Sequence, residues 1–341
     1  MSFNNILIIG SDHKAAIEHI FKSELTSLGF EVQLFPAQTF FLDFYGSSIL
    51  NKIIYRLGLS SIIQKIQKKL KAYILENNPT KVIVFKGMEI APETLMWIKN
   101  KGIKIYNYNP DHPFIFSGRG SGNANVSKSI KLYDYYFSYA DDAVKELIKL
   151  GVKSHKIPFG FDANGFNFKE LTKEDEIVKV CFLGNADKFR AQFINELATL
   201  GLEIDVFGEN WNELKMNKGV TIYSAKYGSD FWLTLQKYTI QLNLLRPHNY
   251  TTHNMRSFDI PGAGGIMLAP LTNDHQVYFD DGVEVFLFDS VEMAYGKAKF
   301  ILNLSFEERL HIRNNARERA VNFHTYQKRT AQLIKILDSF N

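Results

Sequence analysis

Short apolar runs alternate along this chain with longer stretches of helical period. Residues 6–9 are β-branched or leucine and end at Gly10, and apolar positions recur at helical spacing over 14–28. Residues 30–35, 81–85, 103–108 and 135–138 read as further strands. Between them, 47–76 reads as a long helical region broken near 58–60, and 93–100 and 141–150 as shorter helices. Apolar strands alternating with amphipathic helices predict parallel sheets built from βαβ units.

The pattern then restarts. Residues 166–176 (FNFKELTKEDE) are polar, lack a strong period and read as a linker. Strands follow at 178–183, 203–207, 220–223, 240–245, 265–269 and 284–288, with helices at 188–200 and 230–237. From Ser290 onward the chain reads as helical. The expectation is two Rossmann-like, doubly wound α/β domains, 1–165 and 177–323, facing a cleft. Ligands of such sheets sit at the carboxyl ends of the strands.

Composition narrows the partners. The 341 residues are 45% apolar, 22% charged and 14% aromatic, which suits two packed cores rather than a disordered chain. A net charge of +4 fits an anionic substrate or a membrane surface and is too small to imply nucleic-acid binding. The single cysteine, Cys181, lies in an apolar run, so a core role and a reducing cytoplasmic setting are expected. The start, MSFNNILIIG, reads as a first strand rather than a signal peptide. No apolar run reaches the roughly 18–20 residues of a membrane span.

The chemistry gathers in LNLLRPHNYTTHNMRSFDIPGAGGIMLA, residues 242–269. A buried strand gives way to a loop and a helix start holding Arg246, His248, His253, Asn254, Arg256 and Asp259. Free N–H groups and the positive dipole end at a helix start, with arginines beside them, suit an anion. Asp259, one turn further in, suits sugar hydroxyls, so phosphate plus ribose is the expected ligand chemistry. The competing reading is a solvated surface loop. Glycines 262, 264 and 265 end the helix and allow close backbone approach, to a ligand or a neighbouring strand.

The segment HNMRSFDIPGAGGIMLA resembles the donor site of the CgeB-like (spore-maturation type) glycosyltransferases, a branch of the group 1 glycosyltransferases with the GT-B fold. The resemblance extends to CFLGNADKFRAQFINEL, DVFGENW, IQLNLL and FHTYQKRTAQLI, and more faintly to the amino-terminal half. It implies that Asp259 stands where a ribose-binding glutamate is usual, one methylene shorter. The second acidic position of the wider retaining group falls on Thr251, so that two-glutamate signature is absent. It further implies that Gly184, Asn185, Lys188 and Arg190 meet the donor diphosphate, and that the helix 324–341 crosses back to the first domain. Backbone amides and cations at a helix start agree with a pyrophosphate; an ordinary βα turn is the plainer reading.

The first βα turn, Gly10-Ser11-Asp12-His13, lacks GxGxxG, so a dinucleotide fingerprint is not supported. Gly10 joins the expected donor contacts. In inverting GT-B enzymes this loop often carries the base, here His13 beside Asp12; Asp12 also reads as a helix N-cap. Asp111, in NPDHPF, is the rival base or an acceptor ligand, though the two prolines explain that turn structurally. The glycine-dense loop 117–123 reads as a lid or a plain connection. Residues 49–75 form a basic amphipathic pattern that suits peripheral contact with the inner membrane face, or core packing with a solvated basic face.

No HExxH, CxxC or DxD turn is present, and no metal or bound cofactor is expected. The expectation is a metal-independent glycosyltransferase of polysaccharide or glycoconjugate assembly. The carboxyl-terminal domain would bind a nucleotide-diphosphate sugar as co-substrate and the amino-terminal domain a saccharide or glycoconjugate acceptor. Lys188, Arg190 and Arg256 would stabilise the leaving diphosphate. His253 and Asn254 would touch phosphate or sugar. A nucleotide-sugar epimerase and a non-catalytic nucleotide-sugar-binding protein are the alternatives.

Overall fold

A computed structural model describes residues 5–14, 16–116, 118, 120–246 and 251–338. The chain divides into two compact units, Met1–Pro158 with Thr330–Asn341, and Phe159–Arg329. Ser117, Arg119 and His248 lie outside the described residues. No described helix is long and apolar enough to cross a membrane.

The first unit holds strands β1 (Asn5–Ile9), β2 (Glu31–Phe35), β3 (Lys81–Phe85), β4 (Lys104–Asn109), β5 (Tyr135–Ser138) and β6 (Ser154–Lys156), in the order β2-β1-β3-β4-β5-β6. All neighbours pair in parallel. Central parallel strands are covered on both faces, which is why every residue of β3 is buried. Helix Ile62–Asn77 lays Ile66, Leu70 and Ile74 on this core. The break expected near 58–60 is real: Gly58, at φ +73°, separates this helix from Ile49–Arg56. The sequence reading missed β6, because its residues Ser154, His155 and Lys156 form no apolar run.

The second unit holds β7 (Ile177–Leu183), β8 (Ile204–Phe207), β9 (Val220–Tyr223), β10 (Tyr238–Leu242), β11 (Ile266–Pro270) and β12 (Phe286–Phe288). Their order is β12-β11-β10-β7-β8-β9, again all parallel. Both sheets are doubly wound α/β sheets, as the alternation predicts. Cys181 is buried in β7, and burial pushes its thiol pKa up, as suits a core thiol.

Residues 159–165, expected with the first domain, belong to the second unit. Phe161 N–H donates to the His324 carbonyl at 2.7 Å, and Tyr326 N–H donates to the Phe161 carbonyl at 3.0 Å. These bonds tie the segment to the end of the long helix Phe306–Phe323.

The linker also ends differently from its polar reading. Glu176, its last residue, has a side chain only 1% exposed. Arg309 approaches its Oε2 at 2.6 Å and Arg313 its Oε1 at 2.9 Å. Burial opposes ionisation of Glu176, but the two guanidiniums outweigh it and hold the carboxyl below its usual range. Arg313 also donates to the carbonyls of Gln236 and Gly264, each at 2.7 Å, and of Tyr238 at 3.1 Å.

Truncating Arg313 leaves three buried carbonyls and half of a buried carboxylate without their donor. Arg313→Met is expected to cost about 3–5 kcal/mol. The cost should appear as an earlier chemical-denaturation transition of the second unit, with Arg313→Lys recovering only part of it. An unchanged transition would show that the triad is energetically idle.

Candidate functional site

In the second sheet the strand order reverses between β7 and β10. Open α/β sheets bind ligands beyond the carboxyl ends of the strands at such a reversal. Here the two chain segments leaving those ends are joined by one side chain. Asp187 caps the helix Lys188–Thr199, its Oδ1 accepting from the Arg190 N–H at 2.9 Å. That places Arg190 in the first turn. Its Nη2 and Nε donate to the Leu244 carbonyl at 3.1 and 3.3 Å, and its Nη1 to the Asn185 carbonyl at 3.0 Å. Burial draws the Arg190 pKa down to about 10; Asp187 opposes the shift, and Arg246 and Arg256 add to it. Arg246, which is exposed, and Arg256 therefore both lie near enough to act on Arg190 at this end of the sheet.

The helix Arg256–Ala263 begins beside them. Asn254 Oδ1 accepts from the Ser257 N–H at 3.1 Å and closes the first turn. Asn254 Nδ2 donates to Asn243 Oδ1 at 2.8 Å, and Asn243 Nδ2 donates to Ser257 Oγ at 3.2 Å. Ser257 Oγ lies 2.8 Å from His275 Nε2, and His275 Nδ1 lies 2.8 Å from the Pro270 carbonyl. A carbonyl only accepts, so Nδ1 carries the proton and Nε2 takes the serine's. Burial lowers the His275 pKa to about 4 and keeps the ring neutral. This ladder ties the helix start to β10 and to the segment after β11.

Arg256 Nη1 donates to Asp259 Oδ2 at 2.8 Å, one turn along. Its guanidinium stands 4.2 Å from the centroid of the Phe231 ring. Its Nε is buried and has no hydrogen-bond partner among the described residues. Burial raises the Asp259 pKa to about 6, against the pull of Arg256. Arg190, Asn243, Asn254 and Arg256 line one narrow hollow above the strand ends.

Other expected residues lie elsewhere. His253 is fully buried: Nε2 accepts from the Phe159 N–H at 3.1 Å and Nδ1 lies 2.6 Å from Asp274 Oδ2. Both ring nitrogens are spent inside the unit, so His253 anchors the turn before the helix. Gly264 corrects the reading of it as a donor contact. It ends the helix at φ +82°, beside the amino end of β11 rather than the carboxyl ends of the strands, and its carbonyl is taken by Arg313. A Cβ on Gly265 would sit 2.6 Å from the Leu235 carbonyl, so that glycine serves strand packing. Gly184 turns the chain out of β7, its N–H donating to the Phe207 carbonyl and its carbonyl accepting from Trp211 Nε1, each at 2.9 Å. Asn185 Oδ1 accepts from the Glu209 N–H at 3.1 Å. Lys188 is exposed and lines a separate groove with Gln192 and Asn195, on the outer side of its helix.

In the first unit, Gly10 gives its space to a carboxylate: a Cβ there would collide with Glu18, whose Oε1 accepts from the Ser11 N–H at 2.8 Å. Gly10 thus seats a side chain of its own unit. Asp12 does not cap the first helix, which starts after Ala16 with no side-chain cap; its Oδ1 lies 2.9 Å from His19 Nε2. His13 is exposed, its N–H on Ser11 Oγ at 3.2 Å. Asp111 Oδ2 is 2.5 Å from Lys86 Nζ, and Lys86 also donates to the Gly120 carbonyl at 2.7 Å. Burial lifts the Glu89 pKa to about 7; Lys86 opposes the shift and Glu18 adds to it.

Residues 190–335, somewhat under half of the chain, match the family model described as glycosyl transferase-like. No curated protein sequence matches the chain. Among solved structures it is similar to Anabaena Alr3699/HepE in complex with UDP-glucose, with TM-score 0.65, 11% identity and coverage of 98% and 99% of the two chains. It is similar to sucrose-phosphate synthase (tll1590) from Thermosynechococcus elongatus, with TM-score 0.68, 11% identity and the same coverage. A glycosyltransferase from Rickettsia africae ESF-5 matches with TM-score 0.64 and 13% identity over 97% of each chain. The chain has the GT-B fold. The family match begins in the helix that follows β7 and includes β8 to β12.

Sequence reading passed over Asn243, Ser257, His275 and Phe231. Only Asn243 carried a signal, as a polar residue inside the apolar run 240–245.

The buried groups set a pH dependence. His275 and His324 have folded pKa values lowered to about 4 by burial, while an unfolded histidine titrates near 6.5. The unfolded chain binds more protons across that window, so stability falls as pH drops from about 6.5 toward 4. Asp259 is raised to about 6, so it stabilises the fold as pH drops through about 6 to 4 and partly offsets the loss. Thermal unfolding followed across this range should therefore fall more steeply with acid in Asp259→Asn. An equal slope would mean that Asp259 titrates normally.

Proposed function

We propose that this chain transfers a sugar from a nucleoside-diphosphate sugar to an acceptor hydroxyl, in polysaccharide or glycoconjugate assembly. The observation that carries the reading is the arginine group at the reversal: Arg190, Arg246 and Arg256, with a buried Nε on Arg256 that has no partner among the described residues. A buried charged donor without an acceptor is costly, and a diphosphate oxygen satisfies it. Asp259, steered by Arg256, accepts from a ribose hydroxyl. Asn254 presents the helix start to a phosphate, and His253 holds the turn that carries it. Lys188, with Gly184 and Asn185 behind it, adds long-range positive charge.

The chemistry follows. An acceptor oxygen forms a bond to the anomeric carbon as the bond from that carbon to the phosphate oxygen breaks. The electron pair leaves on the nucleoside diphosphate, where Arg190 and Arg256 neutralise the growing charge; in this reading no metal ion is required for that task. In an inverting reaction the hydroxyl proton passes to His13 or Asp111 of the first unit, which binds the acceptor.

The test is thermal stability against UDP-, GDP-, ADP-, CDP- and dTDP-sugars, with NAD and NADP as controls. One nucleotide sugar should raise the melting temperature by mass action. Arg256→Ala should weaken its binding by about ten- to a hundred-fold, the worth of a hydrogen bond to a charged group. It should also lower kcat by roughly 10²–10³. Stabilisation by dinucleotides alone, or by none of the panel, would overturn the reading. Turnover of the donor without acceptor would favour an epimerase instead.

A further inference from the structure

Helix Ile49–Arg56 has no buried residue. Ile49, Leu50, Ile53 and Leu57 are 76%, 63%, 46% and 67% exposed, and Leu59, in the turn that follows, is 74% exposed. At 3.6 residues per turn the first four share one side of the helix. The opposite side is pinned: the Tyr55 ring packs on Phe41 and Tyr45 of helix Ala37–Ser47, at centroid distances of 4.8 and 5.8 Å. The outward stripe is therefore fixed in place rather than loosely frayed. Lys52 and Arg56 border it by helical position, and Arg56 Nε also donates to Tyr45 Oη at 3.3 Å.

Charge names the occupant. Residues 44–75 contain six Lys or Arg and no Asp or Glu, whereas the whole chain nets only +4. An apolar stripe edged by cations is complementary to an anionic lipid surface: the aliphatic groups enter the acyl boundary and the cations meet headgroups. The next helix, Ile62–Asn77, is different. It buries Ile66, Leu70 and Ile74 in its own unit, so its exposed lysines contribute charge alone.

We infer that the outward stripe of helix Ile49–Arg56, extended by Leu57 and Leu59, docks this protein on anionic bilayers. The inference stands apart from the proposed transfer reaction and does not need it.

The experiment is co-sedimentation of the full chain with vesicles of phosphatidylcholine alone or mixed with phosphatidylglycerol, at low and high salt. Binding should require the anionic lipid and weaken with salt. Leu50→Gln/Ile53→Gln/Leu57→Gln should abolish it, with circular dichroism confirming an intact fold. Lys52→Gln/Arg56→Gln should weaken it by about five-fold per cation removed. No binding by the parent chain, or equal binding by the triple variant, overturns the inference. Self-association that vanishes in the triple variant, with no vesicle binding, would instead assign the stripe to a second copy.

Discussion

The second unit is organised around one buried charge. Glu176 is held by Arg309 and Arg313, and the two terminal nitrogens of Arg313 also donate to three carbonyls. Gln236 lies in the last turn of the helix Gly228–Lys237, Tyr238 begins β10, and Gly264 ends the helix that begins at Arg256. An isolated carboxylate at that depth would be costly, so the pair holds only if both arginines stay in place. The same guanidinium thus fixes the far end of the site helix and the start of a strand that leads into the site.

The near end of that helix is fixed independently. Asn254 closes its first turn, Asn243 ties it to the end of β10, and Ser257 ties it to His275. A helix pinned at both ends presents Arg256 with little freedom. Arg190 is equally constrained, with two carbonyls and a capping carboxylate around it. The contrast with exposed Lys188 is physical: a lysine on an outer helix face is a mobile, solvated charge, whereas the two arginines are partly desolvated and directed.

The first unit repeats the architecture with different contents. Its strand order reverses between β1 and β3, and there it gathers carboxylates, Glu18 and Glu89, with one compensating lysine, Lys86. The two units thus place different side chains at the reversal of the same kind of sheet.

The order and type of the elements could be read from the sequence because burial imposes a period. Parallel strands covered on both faces must be short and apolar, and helices packed on them must carry an apolar stripe. The cluster between 242 and 269 was legible for the same reason: Arg256, Asn254 and Asp259 interrupt a pattern that should be apolar. Tertiary structure alone decided which of those groups meet. Nothing local distinguishes His253, sealed against Phe159 and Asp274, from Arg246, which stays in solvent. Nor does any local signal place the polar linker residue Glu176 between two arginines more than 130 residues away. Periodicity reports how much surface each residue must bury. Partners distant in sequence are chosen by the sheet order, which sets the strand ends side by side.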